Sequence, residues 1–434
     1  MATLNNHTRT TQSQVQQQNL HPIEAQDSSF VNTTTVTGET VRKVFKILFY
    51  LNLVLISFLV IFITIYGLIL DSLTHHFHPE KWYPPVLVST VCAGLILDSL
   101  THHFHPEKWY PPVLVSTVCA GILGFTWQWI VARHPKKALK AAFWLSPLLT
   151  CAMGILFVLI GSAVSLIAGI VSLVSAVIQS LYGCWVSKRF VYAAEIFSVS
   201  IAYPPAKTKF LACSLIIVST VYCCFLVAGI GGARAIEKRT KLADVFIFVI
   251  ILSLGWTMHV MKNAMQVTVS RVKYMHFSGG GDIDTRVAFR DTIKHLIGSV
   301  CVGSILVPII GLFRGFARST SLIGGETNEC MFSCVSCSMG IASLFVTKGN
   351  RWGFVHVGVY NKGFVQASSD TWEMFIRVGL EELINFDLTG AFCFLSGVSV
   401  GAICSLVSGI WCLVEYKDYA MEVSTYAFII GYFM

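Results

Sequence analysis

Charged side chains are scarce in this 434-residue chain: they make up 12%, whereas hydrophobic residues make up 54%. The charged share is about half that of a soluble domain. This balance excludes a soluble globular enzyme and a disordered scaffold. The period-two alternation of membrane β-barrel strands is also missing, because the apolar runs are longer than 20 residues. The composition therefore predicts an all-α polytopic membrane protein.

The sequence also lacks the patterns of several functional classes. It has no basic run with interleaved aromatic residues, so we expect no nucleic-acid partner. The 14 cysteines lie mainly within apolar runs, which favours buried free thiols over a disulfide framework. Gly279–Gly281 and Gly324–Gly325 are not followed by the Lys-Ser/Thr of a phosphate loop. No catalytic constellation stands out, and we predict a protein that is not an enzyme and binds no cofactor.

Two groups of metal-binding residue types lack the pattern of a metal site. Histidines cluster in His75–His78 and again in His102–His105, and imidazoles at such spacing can converge on a metal. Both clusters are copies of one predicted outer loop, however, which favours a solvated loop. Cys330–Cys337 contains three cysteines, but zinc requires four ligands and no fourth Cys or His follows nearby. We therefore predict no metal site.

Basic residues beside the first apolar run set its predicted orientation. Segment 1–40 is polar and rich in Gln, Asn and Thr, which predicts a disordered cytosolic tail. Arg42, Lys43 and Lys46 then place the start of the first run in the cytosol. Residues 41–434 predict one transmembrane transporter domain of about ten helices, with a short fifth helix and a truncated last one. The predicted spans are Val44–Leu70, Pro112–Ala132, Ala141–Gly161, Val164–Val186, Phe190–Tyr203, Phe210–Gly232, Leu242–Met261, Thr292–Phe313, Leu388–Val414 and Tyr419–Met434.

A stretch of 27 residues occurs twice without a difference, as Leu68–Gly94 and as Leu95–Gly121, so that 68–121 is an exact tandem duplication. Two perfect copies indicate a recent duplication or a gene-model error, since repeat units normally drift apart. The apolar part that joins the copies, Pro85–Leu97, has 13 residues. At ~1.5 Å per residue it extends about 20 Å, which is too short for a hydrocarbon core of ~30 Å. We predict a re-entrant or interfacial piece on the outer side.

Two further segments have ambiguous patterns. Phe190–Tyr203 is short and contains Glu195, yet without a crossing there the basic stretch Arg234–Lys241 would lie outside. The positive-inside rule therefore predicts that Phe190–Tyr203 crosses the membrane. Ala317–Asp387 has moderate hydrophobicity and scattered charge, which predicts cytosolic amphipathic helices lying against the bundle.

The seventh run gives the strongest indication of a substrate path. From Leu254 it reads LGWTMHVMKNAMQVTVSRVKY, and polar residues inside a span are costly unless they face a cavity or another helix. Aromatic faces in such a cavity can hold a quaternary ammonium group. The structural alternatives are ring packing between helices for the aromatics and snorkelling for a carboxylate. The candidate substrate-binding residues are Trp256, Thr257, Asn263, Tyr222 and Trp127, and Glu195, taken as the only carboxylate in a span interior, is the candidate proton or counter-ion site.

Three segments resemble the choline transporter-like family of the plant and fungal type. Trp256–Ser270 is similar to the W-T-x-x-V-x-x-N-x-x-x-V-T-V-S helix of that family, and Gly298–Val307 is similar to its G-S-x-x-x-G-S-x-x-V span. Asn350–Phe375 resembles its cytosolic stretch before the last two helices. The resemblance implies ten spans with both termini cytosolic. It also implies transport of choline or a related organic cation, with proton exchange in some members.

We therefore expect a membrane transporter that moves choline or a related organic cation by alternating access, in contact with membrane lipids. The alternative is a non-transporting membrane protein that affects lipid composition or trafficking through Ala317–Asp387. A pore ranks last, because the sequence has no selectivity-filter motif. The expected location is the plasma membrane, with an endomembrane as the alternative.

Overall fold

A computed structural model describes residues 28–72, 106–202, 207–236, 242–278, 283–323, 348–380 and 387–434. Within these ranges the regular structure is helical, which confirms the all-α class. The α-helices, in chain order, are α1 Ser28–Ser72, α2 Pro106–Arg133, α3 Pro135–Ile160, α4 Ala163–Val186, α5 Phe190–Ala202, α6 Thr208–Ile236, α7 Leu242–Phe277, α8 Thr285–Asp291, α9 Ile297–Ile323, α10 Gly353–Tyr360, α11 Phe364–Val378, α12 Thr389–Glu415 and α13 Ala420–Phe433. A π-helical stretch, Thr292–Leu296, joins α8 to α9.

By length and composition, 8 helical runs among the described residues could cross a membrane. This confirms a polytopic membrane protein. Two predicted spans do not form separate members of this set. The predicted fifth span continues the fourth in one run, Ala163–Ile201, and α13 has 14 residues.

Several predictions fall on residues outside the described ranges. They include the predicted interfacial piece Pro85–Leu97, the two histidine clusters and the thiols of Cys330–Cys337. Residues 1–27 of the predicted tail also lie outside. Helix α1 begins at Ser28, inside the segment predicted to be disordered.

The two ends of the membrane-length part of α1, Gly38–Tyr66, define the two faces of the bundle. At one end, the main-chain oxygen of Arg42 lies so near Gly298 that an added Cβ would be 2.2 Å from it. At the other end, the Cα of Thr64 would be 3.1 Å from a Cβ on Gly232. Arg42 and Thr64 are about 33 Å apart along the helix, close to a hydrocarbon core of ~30 Å. We call the Arg42 end the start face and the Thr64 end the far face.

The contacts of the other helices give their directions. Helix α9 begins at the start face, and α6 ends at the far face, as the contacts of Gly298 and Gly232 show. Helix α2 begins at the far face, where Tyr110 packs against Gly231. Helix α13 begins there too, because Glu422 is paired with Arg234.

Small residues let the last two long helices approach closely. On α12, a Cβ at Gly401 would lie 2.8 Å from the main-chain oxygen of Phe428, and one at Gly409 would lie 2.2 Å from the Ser424 hydroxyl. In lipid there is little hydrophobic driving force between helices. Helices with small residues at their contact therefore associate by close van der Waals packing. The packed pair α12 and α13 positions Glu422 at the far face.

The predicted crossing by Phe190–Tyr203 is wrong. Helix α5 packs on the first turns of α3 and shares an apolar cluster with the first turns of α12, and these turns lie at the start face. Its Glu195 accepts a 2.6 Å bond from Lys136, its Phe197 ring lies 5.0 Å from that of Phe392, and its Ser200 carbonyl accepts from Lys273. With 13 residues, α5 extends about 20 Å, so it is too short to cross.

The position of α5 reverses the predicted side of the basic stretch that begins at Arg234. We expect epitope tags placed at the N-terminus and within 237–241 to be accessible from opposite sides of the membrane. The measurement is antibody labelling of intact and permeabilised cells. A third tag within 203–206 serves as the matched control and should share the side of the N-terminal tag. Labelling of the N-terminal and 237–241 tags from one side would restore the crossing by α5.

The predicted cytosolic segment Ala317–Asp387 is divided between the two faces in its described parts. Its first residues continue α9 away from the start face. Helices α10 and α11 lie at the start face, where the Arg42 side chain donates a 3.3 Å bond to the carbonyl of Asn361. Arg351 forms an ion pair with Asp387, just before α12. Burial raises the pKa of Asp387, but the charge of Arg351 and the bonds from Thr389 outweigh burial, so this pKa lies below its ordinary value.

Candidate functional site

Helices α1, α6 and α7 enclose a cluster of polar side chains, which we call the central cluster: Asn52, Tyr222, Ser253 and Thr257. The Tyr222 hydroxyl lies 3.3 Å from Thr257 Oγ1 and 3.5 Å from Ser253 Oγ. The Asn52 amide donates a 3.1 Å bond to the same Ser253 oxygen. Each hydroxyl can both donate and accept, so the cluster can exchange an internal bond for one to a bound molecule.

The central cluster lies deep in the bundle. Tyr222 is the middle residue of α6, and both Ser253 and Thr257 are buried. Polar groups at this depth are expensive in lipid unless they pair with each other or serve a substrate path. Leu226, Ile250 and Leu254 belong to the apolar core beside the cluster, whose other two members, Asn52 and Tyr222, are half-buried.

Trp256 lies next to the central cluster but faces α1. Its ring meets Phe49 edge to face, with the centroids 5.5 Å apart at 76°. The indole Nε1 of Trp256 is buried and has no hydrogen-bond partner within the described ranges. An unsatisfied buried donor costs about 1–3 kcal/mol. Trp256 therefore offers both an aromatic surface and an available N–H.

Asn263 lies two turns further along α7 and joins it to α9. Its amide donates a 2.9 Å bond to Ser304 Oγ, and Ser304 in turn donates to the carbonyl of Val300 at 2.8 Å. Asn263 is buried. Its observed role is to fix α9 against the α7 segment that carries Trp256 and Thr257.

The structure places the other two candidates away from this region. Trp127 stacks on Phe392 with the centroids 6.2 Å apart, in an apolar cluster formed mainly by α3, α5 and α12. Its Nε1 is also buried and unpartnered among the described residues. Glu195 is exposed and pairs with Lys136 at the start face. The structure thus joins Tyr222 and Thr257 directly and separates Trp127 and Glu195 from them.

A family model described as "Plasma-membrane choline transporter" matches residues 170–434, which include α6, α7, α12 and α13. The chain belongs to this choline transporter family. The matched range includes the chain from Tyr222 on α6 to Asn263 on α7. It does not include α1, which carries Asn52 and Phe49.

Relatives from fungi and an amoeba support the assignment. Protein pns1 of Aspergillus fumigatus is 24% identical over 278 residues, covering 60% of this chain and 47% of that protein. Protein PNS1 of Gibberella zeae is 23% identical, covering 61% of this chain and 46% of its own length. A CTL-like protein of Dictyostelium discoideum is 22% identical, covering 66% and 53%. The chain spans about half the length of the curated relatives it matches.

In this choline transporter family member, the sequence analysis did not predict four of the residues that make these contacts: Asn52, Ser253, Phe49 and Glu422. Asn52 is the only amide side chain in the first apolar run, a signal that could have identified it. Ser253 lies one turn before Thr257 and faces the same neighbours. Phe49 carries no distinguishing signal in an apolar run. Glu422 was overlooked although it lies within the predicted span Tyr419–Met434, so Glu195 is not the only carboxylate in a predicted span.

Proposed function

We propose that this protein moves choline or a closely related organic cation across the membrane by alternating access. The observation that supports the proposal best is the contact of Tyr222 with Thr257, 3.3 Å apart, at the middle of two membrane-crossing helices. An aromatic ring and hydroxyl oxygens at that depth fit a weakly hydrated cation.

The chemistry of a quaternary ammonium alcohol matches the groups around α7. The Trp256 and Tyr222 rings offer π-faces to the cationic head. The substrate hydroxyl can accept from Trp256 Nε1, which has no partner among the described residues, and bond to the oxygens of Ser253 and Thr257. The proposal gives Trp127 and Glu195 no direct contact with a substrate held in the central cluster.

The distribution of basic residues supports an orientation with the start face in the cytosol. Basic residues gather there at the starts of α1 and α3, at the ends of α2, α4 and α7, and just before α9, whereas Arg234 and Lys417 lie at the far face, toward which the part of α9 with Arg314 and Arg318 also extends. By the positive-inside rule, this distribution favours a cytosolic N-terminus. We propose the plasma membrane as the location, in keeping with the description of the matched family.

The test is uptake of radiolabelled choline by choline-auxotrophic cells that express this chain. We expect saturable uptake that excess unlabelled choline suppresses and that vector-only cells lack. Surface biotinylation controls for expression. Surface-exposed protein without any saturable uptake would refute choline transport and favour the non-transporting alternative, in which the protein affects lipid composition or trafficking.

A further inference from the structure

Three helices meet around one carboxylate at the far face. The Arg234 guanidinium of α6 donates to both oxygens of Glu422 on α13, and the Trp109 indole of α2 donates to Glu422 Oε1 at 3.1 Å. The side chains of Arg234 and Glu422 are 23% and 19% exposed, so the pair can be reached from the far face. A two-bond fork of this kind is the strongest form of carboxylate recognition by arginine.

Aromatic rings surround this carboxylate. Trp109 meets Tyr110 at 5.1 Å and 89°, and it meets Tyr426 at 5.8 Å and 67°. Trp109 and Tyr110 are completely buried. The Tyr110 hydroxyl donates a 3.0 Å bond to the carbonyl of Ala228, and Gly231 leaves room for it, since a Cβ there would lie 2.1 Å from that oxygen. The Tyr110 ring is therefore held in place by the backbone of α6.

A carboxylate beside several indole and phenol rings combines the two attractions that organic cations use in proteins, charge pairing and cation–π contact. In the observed conformation the resident cation is the guanidinium of Arg234. We propose that Glu422 and Tyr426, with the Glu422 carboxylate oriented by the buried Trp109 indole, form an outer binding site for a quaternary ammonium group, and that the group competes with Arg234 for Glu422. This inference rests on the proposed function only in taking an organic cation as the substrate.

The competition has a mechanical consequence for the bundle. The Arg234–Glu422 pair links the end of α6 to the start of α13, and α6 carries Tyr222 of the central cluster. Helix α13 also approaches α7, where a Cβ at Gly255 would lie 3.1 Å from the Phe433 ring. A cation that displaces Arg234 releases α6 from α13 at the far face. Binding at this outer site would thereby open the way toward the central cluster.

The test measures binding of labelled tetramethylammonium to the purified full chain in detergent. All variants carry Trp256→Ala, which removes the aromatic ring next to the central cluster and so weakens binding there. We expect Arg234→Gln to bind about tenfold more tightly, because it removes the competitor, and Glu422→Gln to bind about tenfold more weakly. Lys207→Gln is the matched control, since it breaks the Lys207–Asp284 pair at the start face and should leave binding unchanged.

Equal or weaker binding by folded, monodisperse Arg234→Gln protein would overturn the competition, and so would unchanged binding by Glu422→Gln. If Arg234→Gln does not fold, Arg234→Lys keeps the charge without the two-bond fork and should bind about threefold more tightly. If these variants do not show the predicted changes in binding while the unsubstituted chain takes up choline, the outer site alone is rejected. The predicted binding pattern in a chain that takes up no choline would instead reject the proposed transport.

Discussion

Replacing Trp256 with alanine is expected to lower kcat/KM for choline uptake by about 30- to 100-fold. A cation over a desolvated indole gains about 2 kcal/mol, and this loss alone corresponds to roughly 30-fold. The substitution also removes the edge-to-face contact with Phe49 and the Nε1 donor, which has no partner in the part of the chain that the structure describes. Trp256→Phe keeps an aromatic face but not the donor, so we expect a smaller loss of about fivefold.

Trp129→Ala is the control for Trp256→Ala. Trp129 lies on α2, is 56% exposed, and has the Arg133 guanidinium over its ring. The Trp129→Ala substitution should therefore change uptake little at equal surface expression. Comparable losses in the two variants would indicate a general effect of removing indoles. Normal uptake by Trp256→Ala would show that the Trp256 ring is not part of the substrate site.

The positions of the long helices could be predicted well from hydropathy. Lipid requires a continuous apolar helix for each crossing, so a run such as Phe210–Gly232 allows few alternatives. The short Phe190–Tyr203 was misassigned because the positive-inside rule was given more weight than length. The length argument that was applied to Pro85–Leu97 holds equally for α5, and the contacts of Glu195 and Phe197 agree with it.

The candidate site could be predicted only in part. The polarity of α7 identified Thr257 and Asn263, because an amphipathic pattern within one helix is local information. Partners on other helices are not local. Asn52 meets Ser253 across 201 positions, and Glu422 meets Trp109 across 313. Which of several polar residues face each other is decided by the packing of helices, and local sequence patterns do not reveal that packing.

Two helices take residues from different copies of the duplicated stretch. Helix α1 ends with Leu68–Ser72 of the first copy, and α2 begins with Pro106–Gly121 of the second. Deleting either copy yields the same shortened chain, which still contains both parts. The second copy supplies the buried ring of Trp109, whose counterpart in the first copy is Trp82.

Trp109→Ala and Trp82→Ala are therefore expected to differ sharply in their effect on stability, although the two tryptophans occupy the same position in identical 27-residue copies. Trp109 is completely buried and donates to Glu422, so its truncation should cost about 3–5 kcal/mol of stability through the cavity and the lost bond. Trp82→Ala should cost less, because Trp109 already occupies the place beside Glu422. Thermal unfolding of the two purified variants in detergent measures the difference. Equal destabilisation would mean that both copies contribute buried tryptophans, whereas equal tolerance would remove Trp109 from the core of the far face.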